Sequence, residues 1–209
     1  MSQDLAYAAR LLLDAKRIMV FTGAGISTES GIPDFRGTDG IWTKFAPEDF
    51  MLDRYVSDRS FRVRACSSRF PKMFANAQPN AAHDAVVDIW DSARLVGCVT
   101  HNIDGLHQSA GLTHEAIADL LGNSVGLACI ECGVSYDPRE IEERWVNGDV
   151  DPHCDRCGGI LKSTIVFFGE VLPHSQIELA YKWAAEAEAV ISVGSSLSVY
   201  PAAYIPLEI

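Results

Sequence analysis

Four cysteines stand in a pattern that is typical of a metal site. They form two C-x-x-C pairs, and a glycine follows the second cysteine of each pair: Cys129, Cys132, Cys154 and Cys157. Two such pairs supply four thiolates in a tetrahedron, the usual arrangement of structural zinc, and leave no position for a catalytic water. The interval between the pairs is slightly longer than in most zinc ribbons. We predict structural zinc; two disulfides or loose thiols are the alternative, and His153 is a further candidate ligand.

A glycine-rich turn near the N-terminus is a candidate phosphate site. Its residues Gly23, Ala24, Gly25 and Ser27 resemble half of a dinucleotide-binding fingerprint, although Thr28 occupies the third position of that fingerprint. Glycines there let backbone N–H groups approach a phosphate at the positive end of the next helix. The alternative interpretation is an ordinary turn before a helix.

The loop 31–37, just downstream, is rigid, charged and aromatic. It contains Asp34, Phe35 and Arg36. Arg36 is a candidate partner for a phosphate, and Phe35 is placed to cover a sugar or a ring. The alternative is a surface turn in which the aspartate and the arginine pair with each other.

Two further segments offer polar groups to a ligand. Asn102 and Asp104 supply an amide and a carboxylate that accepts hydrogen bonds from a ligand carboxamide, although both residue types also serve in ordinary turns and helix caps. The segment Gly194, Ser195 and Ser196 offers hydroxyls and backbone donors to a phosphate or a ribose.

These polar segments follow short apolar runs that are typical of buried strands. The runs are 18–21, 95–99 and 190–193, and a fourth run, 165–168, leads into Gly169 and Glu170. Helical stretches, such as 177–189, lie between them. Buried strands that alternate with helices predict an α/β fold with a parallel sheet, and ligands bind at the carboxyl edge of such sheets. We therefore expect the four loops to converge on one crevice.

Taken together, the motifs resemble those of the sirtuins, a family of NAD-dependent protein deacylases. The matching segments occur in the family's order and cover nearly the whole chain: GAGIS (23–27), GIPDFRG (31–37), NIDGLH (102–107), the four cysteines, VFFGE-x-LP (166–173) and GSSLSVYPAA (194–203). The resemblance implies a Rossmann-like NAD-binding domain and a small zinc-binding domain, with an acylated lysine peptide or protein in the cleft between them. It also implies the cofactors NAD and Zn.

The resemblance further implies a role for each matching residue. The implied NAD-binding residues are Gly23, Ala24, Gly25, Ser27, Asp34, Phe35, Arg36, Asn102, Ile103, Asp104, Gly194, Ser195 and Ser196. Among them, Asn102 and Asp104 organise the nicotinamide pocket and count as catalytic. The substrate peptide is expected to pair as an added strand with the segment that contains Val166, Phe168, Gly169 and Glu170.

The sequence departs from the sirtuin pattern at two positions that bear on catalysis. In sirtuins the acyl oxygen attacks the ribose carbon as nicotinamide leaves, and a histidine base then helps a ribose hydroxyl to take over the acyl group. Leu121 occupies the position of that histidine, and His101 replaces the usual glutamine before Asn102. A leucine accepts no proton, and general-base help is typically worth about 10²–10⁴-fold in rate. Either turnover is impaired or His101 takes over as the base.

The function that the resemblance implies is NAD-dependent protein-lysine deacylation, with transfer of the acyl group to ADP-ribose. Because of Leu121, a weakly active protein that binds NAD or ADP-ribose is one alternative, and ADP-ribosyl transfer or NAD hydrolysis is another. The sequence ends at Ile209, within a predicted helix after Pro201. Sirtuins usually continue with a strand and a loop that help to hold adenine, so we expect a less complete adenosine site.

Domain boundaries and cellular setting follow from the same patterns. We expect a discontinuous Rossmann-like domain (1–35, 80–123 and 163–209), a helical insertion (36–79) and a zinc-binding domain (124–162). The net charge of −11 argues against a nucleic-acid partner.

Two cysteines outside the pairs, Cys66 and Cys98, favour a reducing compartment. With no signal peptide and no membrane-spanning run apparent, we expect a cytoplasmic protein.

Overall fold

The computed structural model describes residues 3–67, 74, 76–124 and 126–208. Its strands are β1 (Ile18–Thr22), β2 (Leu95–Thr100), β3 (Ile117–Asp119), β4 (Leu127–Cys129), β5 (Ser135–Tyr136), β6 (Leu161–Ser163) and β7 (Ala189–Val193). Its α-helices are α1 (Gln3–Asp14), α2 (Leu52–Ser57), α3 (Arg59–Ser67), α4 (Ala81–Asp91), α5 (Leu106–Ala110), α6 (Pro138–Val146) and α7 (His174–Glu186). Short 3₁₀ helices cover Ala24–Ser30, Ile41–Thr43, Pro47–Phe50, His114–Ala116 and Ala202–Leu207. Within the described ranges, no helix has both the length and the apolar character that a membrane crossing needs.

The main sheet has four parallel strands in the order β3-β2-β1-β7. One of its two central strands, β1, is buried along its whole length. A strand covered on both faces must be apolar at every position rather than at every second one, which is why the run 18–21 was recognisable in the sequence. The predicted α/β class with a parallel sheet is confirmed.

Helices cover both faces of this sheet, and alternate residues of β1 face opposite layers. Met19 and Phe21 belong to one core cluster, together with Trp183 of α7. Ile18 and Val20 belong to a second cluster, together with Val86 of α4. On the α7 side, a Cβ added at Gly97 of β2 would lie 2.1 Å from the Trp183 ring, so a larger residue there would push α7 off the sheet.

In the main sheet, one predicted strand is wrong and one strand was missed. Among the described residues, the run 165–168 joins no strand of the main sheet and makes a single bridge, between Phe168 and Met51. The Phe168 N–H donates to the Phe50 oxygen (2.9 Å), and the Phe168 oxygen accepts from the Leu52 N–H (3.0 Å). These partners, which lie in helical turns, occupy the backbone groups that a sheet neighbour would need. The sheet position beside β2 belongs instead to β3, which is only three residues long and ends at Asp119, too short for a periodicity signal.

A second, antiparallel sheet has the order β5-β4-β6 and carries the first cysteine of the metal pattern at the end of β4. The helical segment before α4 is tied to the loop that precedes Cys154 by a buried ion pair, in which Arg62 of α3 donates to both carboxylate oxygens of Asp151 (2.8 and 2.9 Å). Residues 68–73 and 75 of the predicted insertion lie outside the described residues. The exact domain boundaries stay a prediction.

Candidate functional site

A cavity of about 820 Å³ opens at the carboxyl edge of the main sheet. Its wall contains most of the candidate residues: Gly23, Ala24, Asp34, Phe35, Arg36, His101, Ile103, Leu121, Val166, Phe168, Gly169, Glu170, Gly194, Ser195 and Ser196. The turns after β1, β2 and β7 and the loop after Phe168 therefore face one space. Its volume lies within the usual range of small-molecule sites, about 300–1,000 Å³.

The turns after β1 and β7 are in direct backbone contact. The Gly25 N–H donates to the Gly194 oxygen at 2.9 Å. A Cβ added at Gly194 would lie 2.1 Å from the amide nitrogen of Ile26, and the φ angle of +64° at Gly194 also favours glycine. The two turns can approach this closely only because both positions lack a side chain, so backbone rather than side chains forms this part of the wall.

Four candidate residues lie outside the wall of this cavity: Gly25, Ser27, Asn102 and Asp104. The last three are hydrogen-bonded to one another. Ser27 Oγ donates to Asp104 Oδ2 (2.7 Å), and Asn102 Nδ2 approaches Ser27 Oγ (3.2 Å). The Leu106 N–H donates to Asp104 Oδ1 (3.0 Å), so both oxygens of Asp104 already have partners within the chain. Asn102 Oδ1 is buried and has no hydrogen-bond partner among the described residues, so this group keeps one acceptor for a ligand.

Two buried histidines lie beneath this group. Thr22 Oγ1 donates to Thr100 Oγ1 (2.8 Å) and lies 2.9 Å from His107 Nε2. The rings of His107 and His83 are 5.1 Å apart, centroid to centroid. Burial, followed by the proximity of His83, lowers the pKa of His107 to about 4, and burial also lowers the pKa of His83. Both imidazoles are therefore neutral at pH 7.

We expect stability to fall as the pH drops from 6.5 toward 4. The unfolded chain binds a proton at His107 with the ordinary pKa of 6.5, whereas the folded chain resists it until about 4. The contribution is complete above pH 6.5 and is lost on acidification, at about 1.4 kcal/mol per pH unit for this group. Denaturant unfolding at pH 6.5 and 5.0, above the range of most carboxylates, measures the slope. An equal free energy of unfolding at the two pH values would contradict the assignment, and His107→Gln should reduce the slope, leaving the share that comes from His101 and His83.

Leu121 lies in the cavity wall, close to the end of the strand that neighbours β2. The parallel register pairs Thr100 with Asp119, so His101 and Leu121 follow adjacent strand ends and face the same cavity. The Leu121 oxygen accepts from the Val166 N–H (2.9 Å), which ties this wall position to the candidate peptide segment. The side chain at position 121 therefore lies where it can affect both ligands.

His101 offers the cavity a neutral imidazole. Burial, with the positive charge of Arg36 as the second cause, lowers the pKa of His101 to about 4. His101 Nε2 is buried and has no hydrogen-bond partner within the described part of the chain. The ring packs edge-on against Phe21, at 5.0 Å between centroids. The lowered pKa makes His101 a weaker base than an ordinary histidine.

The candidate peptide segment, 166–170, is fixed on one side and free on the other. The N–H of Val166 and both backbone groups of Phe168 bond to the protein, as described above. In contrast, the oxygen of Val166 and the N–H and oxygen of Gly169 make no hydrogen bond to any described residue. Such unpaired groups are what an extended peptide needs in order to add a strand.

The four cysteines of the metal pattern form one cluster. Their sulfur atoms all lie within 4.8 Å of one another, with Cys129–Cys157 at 3.5 Å and Cys132–Cys154 at 3.7 Å. A tetrahedron with metal–sulfur bonds of about 2.3 Å has edges of about 3.8 Å, so the donor set fits zinc. The five cysteines with described side chains are free, against the disulfide alternative. His153 is outside the cluster, and its Nδ1 lies 2.9 Å from a backbone oxygen.

The cavity wall also contains residues that the motifs do not include. Trp42 and Phe50 come from the helical segment before α4, and Ile177 comes from α7. Trp42 packs against Phe35 at 5.2 Å and against Phe50 at 5.4 Å between ring centroids. The only signal in the sequence was the density of aromatic residues in a segment without strand character, which does not say where the rings lie.

Comparisons with known proteins agree with this geometry. The chain matches the Sir2 family over residues 23–201. It is 40% identical, over 96% of its length and 76% of the relative, to an NAD-dependent protein deacetylase of Caldivirga maquilingensis. A solved Sir2 variant with a deacetylated p53 peptide and 3′-O-acetyl ADP-ribose superimposes with a TM-score of 0.87 at 36% identity, covering 98% of this chain and 81% of the other.

A second solved structure contains Sir2, a p53 peptide and NAD⁺. It has a TM-score of 0.85 and 33% identity, and the match covers all of this chain and 82% of the other. The fold, the four-cysteine cluster and the order of the motifs all coincide with those expected from the resemblance. The chain therefore belongs to the Sir2 family, the sirtuins.

Proposed function

We propose that the protein is an NAD-dependent protein-lysine deacylase, which transfers the acyl group to ADP-ribose and releases nicotinamide. The observation that carries the proposal is the single cavity shared by the glycine turns after β1 and β7 and by the segment 166–170. A nucleotide and an acylated lysine can meet only if their sites open into one space. Two comparisons support the same assignment. The Caldivirga maquilingensis relative is named an NAD-dependent protein deacetylase, and a similar solved structure contains Sir2 with a p53 peptide and NAD⁺.

The residues present fit NAD. The backbone of Gly23, Ala24 and Gly194 leaves room for phosphates, Arg36 places a positive charge in the wall, and Phe35 offers an aromatic face. The buried, unpartnered Oδ1 of Asn102 suits the NH₂ of a carboxamide. When bound, NAD would supply the ADP-ribose that accepts the acyl group, with nicotinamide as the leaving group. The chain holds and orients NAD, and the hydrogen bonds among Ser27, Asp104 and Asn102 fix the position of Asn102.

The substrate peptide is assigned to the free edge of the segment 166–170. An extended peptide can bond to Gly169 through both of its backbone groups, and the Val166 oxygen accepts a further N–H. Phe168, whose side chain is about half exposed (48%), adds apolar contact at the mouth of the cavity. In strand addition of this kind, hydrogen bonds to the peptide backbone supply the affinity and side-chain contacts supply the specificity. This mode suits a protein substrate whose modified lysine lies in an extended segment.

We assign weak general-base help to His101. Its free Nε2 can accept a proton, but its pKa of about 4 makes it a poorer base than an ordinary histidine. Replacing His101 with phenylalanine is therefore expected to lower kcat for deacylation only about tenfold, below the full range of general-base effects. His101→Gln, which keeps polarity without basicity, should lower kcat to the same extent. If both variants turn over at the wild-type rate, His101 is not the base.

Binding of NAD without acyl transfer is the second candidate function. It is favoured by one observation, the aliphatic Leu121 in the cavity wall. A leucine neither accepts nor donates a proton, so the site can be complete for binding and still deficient in chemistry. ADP-ribosyl transfer or NAD hydrolysis fits the same observation, because expulsion of nicotinamide can precede the step that needs a base.

One assay separates these functions. The protein is incubated with NAD and an acetyl-lysine peptide, and nicotinamide, deacetylated peptide and free ADP-ribose are measured together. Equal amounts of nicotinamide and deacetylated peptide support the deacylase. ADP-ribose that forms equally without peptide indicates NAD hydrolysis. Calorimetric NAD binding without any product indicates a binding protein, and no binding of NAD at all contradicts the proposal.

We further propose a cytoplasmic setting and a protein partner rather than a nucleic acid. The support for a reducing compartment is the cluster of four thiols at metal-binding distances. The support against a polyanionic partner is the net charge of −11. Fractionation of cells that express the chain, followed by detection of the protein, tests the location.

A further inference from the structure

A buried lysine lies beneath the candidate peptide segment and belongs to none of the motifs above. The Lys162 side chain is only 6% exposed, and its ammonium group lies 3.0 Å from Glu170 Oε2. The same ammonium donates to the backbone oxygens of Ser163 (2.8 Å) and Ile165 and lies 4.5 Å from the centre of the Phe167 ring. A desolvated cation with this many partners in one loop fixes the shape of that loop.

Glu170 extends the same set of contacts. Its Oε2 also accepts from the Phe167 N–H (2.6 Å), and its own N–H donates to the Phe167 oxygen (3.0 Å). Phe167 also contacts Tyr55, whose ring lies edge-on at 5.4 Å and whose hydroxyl donates to the Leu161 oxygen (2.8 Å). The ion pair therefore closes the turn that presents Gly169 to the cavity.

We propose that Lys162 and Glu170 form a positioning pair, which holds the free backbone groups of Val166 and Gly169 at the geometry that an extended acyl-lysine peptide requires. This inference rests on the proposed function. Neither side chain is a catalytic residue, because the ammonium of Lys162 bonds to loop backbone and to Glu170. The pair affects the reaction indirectly, by fixing the backbone of the segment between Lys162 and Glu170.

The pair also joins the peptide segment to the metal-bearing sheet. Lys162 is a residue of β6, where it pairs with Ala128 of β4, and the next pair along the ladder is Leu161 with Cys129. Burial lowers the pKa of Lys162, and the hydrogen bond that its ammonium donates to Glu170 raises it, as the smaller of the two effects. The buried ammonium of Lys162 is thus paired with the carboxylate of Glu170. Removal of either side chain leaves the other charge without its ion-pair partner, which is costly inside the protein.

The test compares Lys162→Met with Lys182→Met, a matched change at an exposed lysine of α7. Affinity for a fluorescent acetyl-lysine peptide is measured by anisotropy, and affinity for NAD by calorimetry. We expect Lys162→Met to weaken peptide binding about 10- to 100-fold, because small displacements of a positioned group cost this much. NAD affinity should stay unchanged, Lys162→Arg should restore most of the peptide affinity, and Lys182→Met should behave as wild type.

A second readout needs no ligand. Hydrogen exchange of the segment 165–170 should accelerate in Lys162→Met, because the Phe167 N–H loses the support of the ion pair, while exchange of β1 should not change. Peptide affinity and exchange equal to wild type would overturn the positioning role and leave the proposed function intact. Equal loss of NAD and peptide affinity would also overturn it, since that indicates general unfolding. An unaltered protein that binds no acetylated peptide removes the proposed function itself, and the positioning role with it.

Discussion

Replacing Leu121 with histidine is expected to raise kcat for deacylation by about 10²-fold, the lower end of the range for a well-placed general base. The wall position of Leu121 faces the cavity, and a histidine is close to leucine in volume, so the fold should accept it. The gain stays at the lower end because His101 already supplies a weak acceptor. Affinity for NAD and for peptide should change little, since the interaction gained exists only when the proton moves.

The pH profile and a matched variant separate basicity from polarity. Leu121→Gln adds a polar group of similar size that cannot take a proton at neutral pH, so it should leave kcat near the wild-type value. In Leu121→His, kcat should acquire an acidic limb near the pKa of the new histidine, about 6.5 when unperturbed. The limb due to His101 lies lower, near its pKa of about 4. A glutamine variant as fast as the histidine variant would show that polarity, and not proton transfer, limits the reaction.

Features with strong local signals could be predicted from the sequence. The run 18–21 is apolar at every position because β1 is covered on both faces, and such a run has few other interpretations. The four cysteines were equally clear, since metal ligation fixes both residue type and spacing. The glycines at 25 and 194 were recognisable as turn residues, although their contact with each other was visible only in three dimensions.

Features that depend on tertiary partners could not be predicted. The run 165–168 has the composition of a strand, but its backbone bonds to Phe50, Leu52 and Leu121, three residues from two distant parts of the chain. Lys162 gave no signal, because a lysine in a polar stretch is expected to be exposed, and its burial follows from the fold of the loop around Glu170. Asp104 was interpreted as a ligand acceptor, yet Ser27 and the Leu106 N–H occupy its oxygens.

Removal of zinc is expected to abolish peptide binding while NAD binding persists. The metal-bearing sheet has strands of only two or three residues, and its core cluster of buried residues is Cys129, Cys154 and Leu161. Such a sheet buries too little apolar surface to fold by itself, whereas structural zinc contributes about 10–16 kcal/mol in small zinc modules. The main sheet has its own two core clusters, so we expect it to stay folded without the metal.

The loss should reach the peptide segment through β6. When the β4–β6 ladder opens, Lys162 loses its place in the sheet, and the turn closed by Glu170 loses its support. Chelation, or Cys157→Ser, should therefore lower zinc content and peptide affinity together and should leave calorimetric NAD affinity within a few-fold of the starting value. Adding zinc back to the chelated protein should restore peptide binding, and it should not rescue Cys157→Ser. Full peptide affinity in metal-free protein would show that the segment 166–170 holds its geometry without the metal-bearing sheet.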